Sequence, residues 1–293
     1  MKLVSYEKSG ECRLGALIDA HRLVDITDLV GTADMNRLID EYRNHEQVLK
    51  EVIRSSHNVI DTRTVKLLAP IPDIRRNVFC VGKNYYEHAR EFANSGYDSS
   101  AASGKVPTAP IIFSKPNTSV SGPGDAIDTK LDPYGSVDYE AELAVVIGKN
   151  GRVDERDDPW SFVFGYTLIN DVTARELQKK HSQWLLGKGI DGYCPMGPAL
   201  VTPDELGALD RLRISCEVNG EVRQSASVSD LIFDIPTLIR TIGRGISLMA
   251  GDIIATGTPV GVGIGFKPPR YLRPGDEVRV SMPGIGDLVN PVV

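Results

Sequence analysis

Several things are scarce in this chain of 293 residues, and each absence removes a class of function. It has no basic run, and its formal net charge is -6, which argues against nucleic acid as a partner. No uninterrupted apolar stretch approaches the ~18 residues of a membrane span. The first residues, Met1 to Tyr6, lead straight into a charged, glycine-containing segment with no signal-peptide core, so a cytoplasmic protein is expected. Cys12, Cys80, Cys194 and Cys216 are scattered with no C-x-x-C spacing, and read as reduced, mostly buried thiols. The glycine-rich stretch Ile253 to Gly263 has neither a GK[ST] nor a G-x-G-x-x-G opening a helix, so neither a P-loop nor a dinucleotide fingerprint is present. Internal repeats and low-complexity tracts are also missing.

What is present centres on residues 137–171. Val137, Tyr139, Ala141 and Leu143 alternate and then run into Ala144-Val145-Val146-Ile147, the pattern of a strand. On one continuous strand Asp138, Glu140 and Glu142 share a face. Three carboxylates there repel one another unless a cation lies over them, and a hard divalent ion with oxygen ligands suits them. A solvated acidic face is the alternative. Phe162 to Asn170 reads as a second strand that delivers Asp171 at its end, where it can also serve as the N-cap of a helix over 172–176.

Upstream, residues 1–70 read as a small N-terminal α/β domain, with helical spacing of Met35, Leu38, Ile39, Tyr42, Leu49 and Ile53. Residues 71–293 form the rest, with Pro70 and Pro72 at the boundary. The many short strands and few helices after residue 73 predict a β-rich α+β fold. His88 and Glu91 are three apart, so on a helical turn they share a face. A carboxylate there raises imidazole basicity and fixes its tautomer, as a general base requires; a solvated surface pair is the alternative. The Ser-, Gly- and Ala-rich residues 92–109 that follow are a candidate lid. Lys188 lies between two glycines and can reach an anion, or simply sit in a turn. Asn219-Gly220 marks a hairpin, and Leu231 to Ile246 reads as core. In the 253–263 loop, backbone amides and the Thr258 hydroxyl can hold a carboxylate.

Taken together, GKNYYEHARE, FSKPNTSVSGPGD, DYEAELAVVIG, GYTLINDVTARELQ, GKGIDGYCPMGP and GDIIATGTPVGVG resemble the fumarylacetoacetate hydrolase family, in its acylpyruvate hydrolase and 2-hydroxyhepta-2,4-diene-1,7-dioate isomerase-like branch, over roughly residues 74–293. The resemblance implies a mixed β-sheet roll behind a small N-terminal domain, and a homodimer. It implies Mg²⁺, Mn²⁺ or Ca²⁺ on Glu140, Glu142 and Asp171. Val81 stands where some members carry a fourth carboxylate. It implies that Arg175, Gln178 and Thr258 contact substrate, a small 2-oxo or 2,4-dioxo acid of the kind met in aromatic catabolism. The expected reaction is C–C hydrolysis of a 2,4-dioxo acid, of acylpyruvate or fumarylpyruvate type. In it, His88, oriented by Glu91, activates water, Lys188 adds positive charge, and pyruvate leaves as an enolate. Oxaloacetate decarboxylation and 2-hydroxymuconate-type isomerisation share the same contacts and stand as alternatives. A non-catalytic metal-binding scaffold is the rival of another class, and it would expect gaps in this residue set.

Overall fold

The computed structural model describes residues 1–55, 58–98, 100 and 105–293. It has the sheet-rich α+β organisation that the strand pattern predicts. A twelve-stranded mixed sheet is the frame, and a four-stranded antiparallel sheet of Arg213–Val218, Glu221–Ser227, Glu277–Met282 and Gly286–Pro291 packs beside it. The N-terminal strands share the large sheet: Lys2–Lys8 pairs antiparallel with Cys194–Val201. The helix Met35–Ser55 lays Met35, Leu38, Ile39 and Leu49 on one side of the sheet, where Tyr42 meets Phe164 edge-on at 4.9 Å. No helix among the described residues is long and apolar enough to cross a membrane.

The strand Ala141–Ile147 is central and buried along its whole length. It pairs antiparallel with both Val163–Asn170 and Ile253–Ala255, so it meets no water on either edge. The acidic stretch is not one continuous strand. Val137–Asp138 pairs with Thr173–Ala174 in a separate two-stranded ribbon, and Tyr139 and Glu140 fall between the two pieces. That break separates Asp138 from the other two acids. Asp171 does not cap a helix: Thr173–Ala174 follows it as a strand, and the next helix, Arg175–Lys180, has Ala174 at its N-cap.

Elsewhere Asn219 and Gly220 both take positive φ, 53° and 77°, as a tight hairpin turn demands. In the segment read as core, Leu238, Ile239 and Ile242 are buried on the helix Ile235–Gly243, but Ile246 lies past its end and is 45% exposed.

Candidate metal-dependent active site

The antiparallel register of the two central strands builds the acidic centre. Ala141 pairs with Asn170, so Glu140 and Asp171 lie one step beyond, and Asp171 N–H donates to Glu140 O at 2.8 Å. Glu142 shares the face of Glu140 by the two-residue period. Carboxylate oxygens of Glu140, Glu142 and Asp171 lie within 4.8 Å of one another, all buried. Asp138, expected on the same face, instead accepts from Arg175 Nε at 2.9 Å and from the amides of Gly263 (2.6 Å) and Ile264 (3.1 Å). It anchors Arg175 and is not part of the cluster.

Three cations interleave with these acids. Lys188 Nζ bridges Glu140 at 2.8 Å and Asp171 at 2.7 Å, so it sits in the centre of the site rather than in a surface turn. Lys115 Nζ, not singled out by the sequence, reaches Asp171 at 2.7 Å. Its only signal is a lysine closing the strand Ile111–Lys115, and it is fully buried. Arg175 also contacts Glu140 at 2.7 Å and Gln178 at 3.2 Å. Burial alone would raise the Glu140 pKa, but Lys188, Arg175 and His88 overcome it and hold the group well below the carboxylate range. Glu142 differs. Its hydrogen bond comes from Gly257 N at 2.8 Å, and burial, then the charges of Asp171 and Glu140, push its pKa well above the usual carboxylate value.

These residues fit a hard divalent ion. The donors are all oxygens, and three buried carboxylates converge within 4.8 Å of one another. Glu142 is the acid no cation reaches among the described ion pairs, and it is the one a metal would relieve.

The glycine-rich loop does hold carboxylates, but they are the protein's own. Gly257 donates to Glu142, Gly261 to Glu91 at 3.0 Å, and Gly263 to Asp138. Thr258 lines the cavity, and its hydroxyl accepts from Gln224 Nε2 at 2.8 Å. Gly261 is at φ +109°, and a Cβ there would lie 1.9 Å from the Arg223 carbonyl oxygen. Gly261→Ala is therefore expected to lower Tm through strain of roughly 1–3 kcal/mol and to loosen Glu91. Thermal unfolding checks the first effect; an unchanged Tm contradicts the close packing.

His88 and Glu91 lie on the helix Tyr86–Asn94, with Nδ1 3.1 Å from Glu91 Oε2. The pair is buried rather than solvated, at 5% and 11% side-chain exposure. With Glu91 accepting from Nδ1–H, Nε2 is the nitrogen left to exchange a proton. His88, Glu140, Arg175, Gln178, Lys188 and Thr258 all line one cavity. Phe92, Phe113 and Trp184 wall it, and Val81 adds a further apolar surface. Its free volume is about 10 Å³, room for about one water. Arg175 Nη2 is buried with no hydrogen-bond partner among the described residues, a donor suited to an anion. The nearby thiols of Cys80 and Cys194 are buried, which raises their pKa values and keeps them neutral. Cys12 is exposed.

Of the candidate lid, residues 99 and 101–104 lie outside the described residues. Within the described part, Tyr97 OH donates to Glu176 at 2.6 Å and accepts from Tyr271 at 3.0 Å, and Asp98 pairs with Lys83 at 2.8 Å.

Comparison with known proteins gives a consistent set. The model for the fumarylacetoacetate (FAA) hydrolase C-terminal domain matches residues 77–293. The oxaloacetate tautomerase YisK of Bacillus subtilis is 47% identical over 228 residues, 78% of this chain and 73% of the relative. The mitochondrial oxaloacetate tautomerase fahd2 of Xenopus laevis is 36% identical over 300 residues, 100% of this chain and 90% of the relative. Among solved structures, a fumarylacetoacetate hydrolase from Exiguobacterium antarcticum superposes with TM-score 0.82 at 40% identity, covering 100% and 99% of the two chains. Maleylpyruvate hydrolase from Sphingobium sp. SYK-6, in complex with manganese(II) and pyruvate, has TM-score 0.81 at 29% identity, with 100% and 99% covered.

Proposed function

The chain belongs to the fumarylacetoacetate hydrolase family, and from that premise we propose that it interconverts the enol and keto forms of a 2-oxo dicarboxylic acid, with oxaloacetate as the substrate and a divalent metal as cofactor. One observation carries this reading. His88, an imidazole held by a carboxylate, lines the same small cavity as the Glu140 end of the acidic cluster and the cations Arg175 and Lys188. The oxaloacetate tautomerases similar over most of this chain support the choice of substrate.

Glu140, Glu142 and Asp171 would hold the metal, which when bound supplies positive charge that stabilises the enolate form of a 2-oxo acid. Mn²⁺ is supported by the similar maleylpyruvate hydrolase, whose structure contains it; Mg²⁺ has the same oxygen preference. Arg175 Nη2 and Gln178 would orient the substrate's 1-carboxylate from the helix Arg175–Lys180. Lys188 would place positive charge beside the 2-oxygen, where the negative charge of the enolate concentrates. His88 Nε2 would then carry the proton between the 2-hydroxyl and C3: the O–H bond breaks, the C3–H bond forms, and His88 ends as it began. Glu91 would stabilise the transient imidazolium. The apolar wall of Phe92, Phe113 and Trp184 excludes bulk water and strengthens each of these charges.

A second reading, hydrolysis of a 2,4-dioxo acid to pyruvate and a carboxylic acid, is favoured by the likeness to maleylpyruvate hydrolase. There His88 would deprotonate water instead. The deciding experiment is a comparison of kcat/KM on Mn²⁺-loaded protein with three substrates: enol-oxaloacetate followed by ketonisation, and acetylpyruvate and fumarylpyruvate followed by pyruvate release. Ketonisation should exceed both hydrolyses by at least about tenfold. Faster pyruvate release from either dioxo acid overturns the tautomerase reading in favour of hydrolysis.

A further inference from the structure

We propose that Gln224 is a positioning residue that aims the Thr258 hydroxyl, as a hydrogen-bond donor, at an oxygen of the bound acid. The proposal rests on the reading that this site takes 2-oxo acids. Gln224 lies on the strand Glu221–Ser227, at the edge of the four-stranded sheet, yet it is 1% exposed. A slip in register accompanies this. Gln224 faces Cys216 and Val222 faces Glu217, so Arg223 is an extra residue, a β-bulge beside Gln224. Bulges re-aim side chains and are over-represented next to active sites. Here the glutamine turns to the glycine-rich loop, close enough that a Cβ on Gly261 would lie 3.3 Å from Gln224 Cγ.

Backbone groups fix both ends of its amide. The strand Ile253–Ala255 pairs with Ala144, Val145 and Val146 and stops short of Ala141. Gln224 Oε1 stands in for a strand there and accepts from Ala141 N at 3.0 Å. Ala141 lies between Glu140 and Glu142, so the glutamine is tied to the acidic centre. At the other end Nε2 donates to Pro259 O at 2.7 Å and to Thr258 Oγ1 at 2.8 Å. A backbone N–H can only donate and a carbonyl can only accept, so the oxygen and nitrogen of this amide cannot trade places. Both Nε2 protons are thereby engaged, one of them on Thr258. A hydroxyl that accepts in this way has its own proton left to give. The Thr258 hydroxyl makes no other hydrogen bond among the described residues. Thr258 is 2% exposed and lines the cavity with His88, Arg175 and Lys188. It therefore joins Arg175 Nη2 as a buried donor in want of an acceptor, which the anionic oxygens of a 2-oxo acid supply. The hydrogen bond it receives also polarises the hydroxyl and strengthens the one it gives.

Calorimetry on Mn²⁺-loaded protein tests this with oxalate, an unreactive mimic of the 2-oxo acid head group. Thr258→Val should weaken oxalate by roughly tenfold to a hundredfold, the worth of a hydrogen bond to a charged group. Gln224→Met, which keeps the length of the side chain and removes its donor, should weaken it by roughly threefold to tenfold. Added to Thr258→Val, Gln224→Met should cost less than about twofold more, because its effect runs through the hydroxyl. A glutamine that only ties loop to strand would cost the same in both backgrounds. That result overturns the role of Gln224, as does unaltered oxalate binding in either single variant. If Gln224→Met fails to fold, proton NMR of the Gln224 side-chain amide in Mg²⁺-loaded wild type decides the matter. Oxalate should shift the amide proton held by Thr258 downfield and leave the one on Pro259 nearly unmoved, a response that Thr258→Val should lack. Equal shifts of the two protons, or no shift at saturating oxalate, overturn the proposal. Each of these failures, with wild type still binding oxalate, leaves the 2-oxo acid reading standing. Wild type that does not bind oxalate overturns both.

Discussion

Glu142→Gln is expected to abolish function by losing the metal while making the metal-free protein more stable. The lost affinity should exceed ~10²-fold, since disturbing only an outer partner of a ligand typically costs ~10–100-fold. The stability effect follows from the direction of the pKa shift. Burial, Asp171 and Glu140 raise the Glu142 pKa in the folded protein. The folded chain thus keeps a proton that the unfolded chain releases, and ionising Glu142 in place is penalised. The penalty is absent below the ordinary carboxylate pKa and grows as pH rises towards the raised value. Glutamine keeps the shape and the Gly257 contact without the charge. In EDTA, Tm of the variant should exceed that of wild type by a margin that widens with pH. With added Mn²⁺ only wild type should gain. An equal Mn²⁺-induced rise in both proteins would remove Glu142 from the ligand set.

His88→Ala carries the second large effect, a fall in kcat of ~10²–10⁴-fold, the usual worth of a positioned acid–base group. Metal affinity should stay at the wild-type level, because His88 is not one of the three clustered ligands. Glu91→Gln should fall less. Its amide oxygen can still accept from Gly261 N and from His88 Nδ1, but it stabilises imidazolium poorly. Steady-state ketonisation together with calorimetric Mn²⁺ binding separates these outcomes. Loss of metal binding in His88→Ala would make the residue structural, and an undiminished rate would place the proton carrier elsewhere.

The sequence made the site legible where local periodicity and tertiary contact agree. Glu140 and Glu142 follow from a period of two, and His88 and Glu91 from a helical turn, and both spacings survive into the folded geometry. Asp138 obeyed the same period, yet the chain leaves the strand at Tyr139–Glu140 to start a separate ribbon, so its carboxylate turns to Arg175. Nothing local announces that break, because it is set by pairing with Thr173–Ala174, some 35 residues on. Asp171 had the right residue type for an N-cap, but the strand pair with Val137–Asp138 claimed the following residues first. The glycines of 257–263 were readable as amides ready for an anion. That the anions are Glu142, Glu91 and Asp138 depends on the central strand, the helix Tyr86–Asn94 and the short ribbon converging on this loop. Lys115 escaped notice as a site residue for a similar reason: a single lysine at a strand end is commonly solvated, and only the assembled sheet buries it.

The most direct test of metal-dependent enol–keto interconversion at this site is the ketonisation of enol-oxaloacetate in D₂O, with the product trapped and analysed by proton NMR. With Mn²⁺-loaded protein the account predicts one deuterium delivered to a single face of C3, far faster than in buffer, with the acceleration lost in EDTA and in His88→Ala. Deuterium distributed over both faces at the buffer rate, with or without metal, would contradict it.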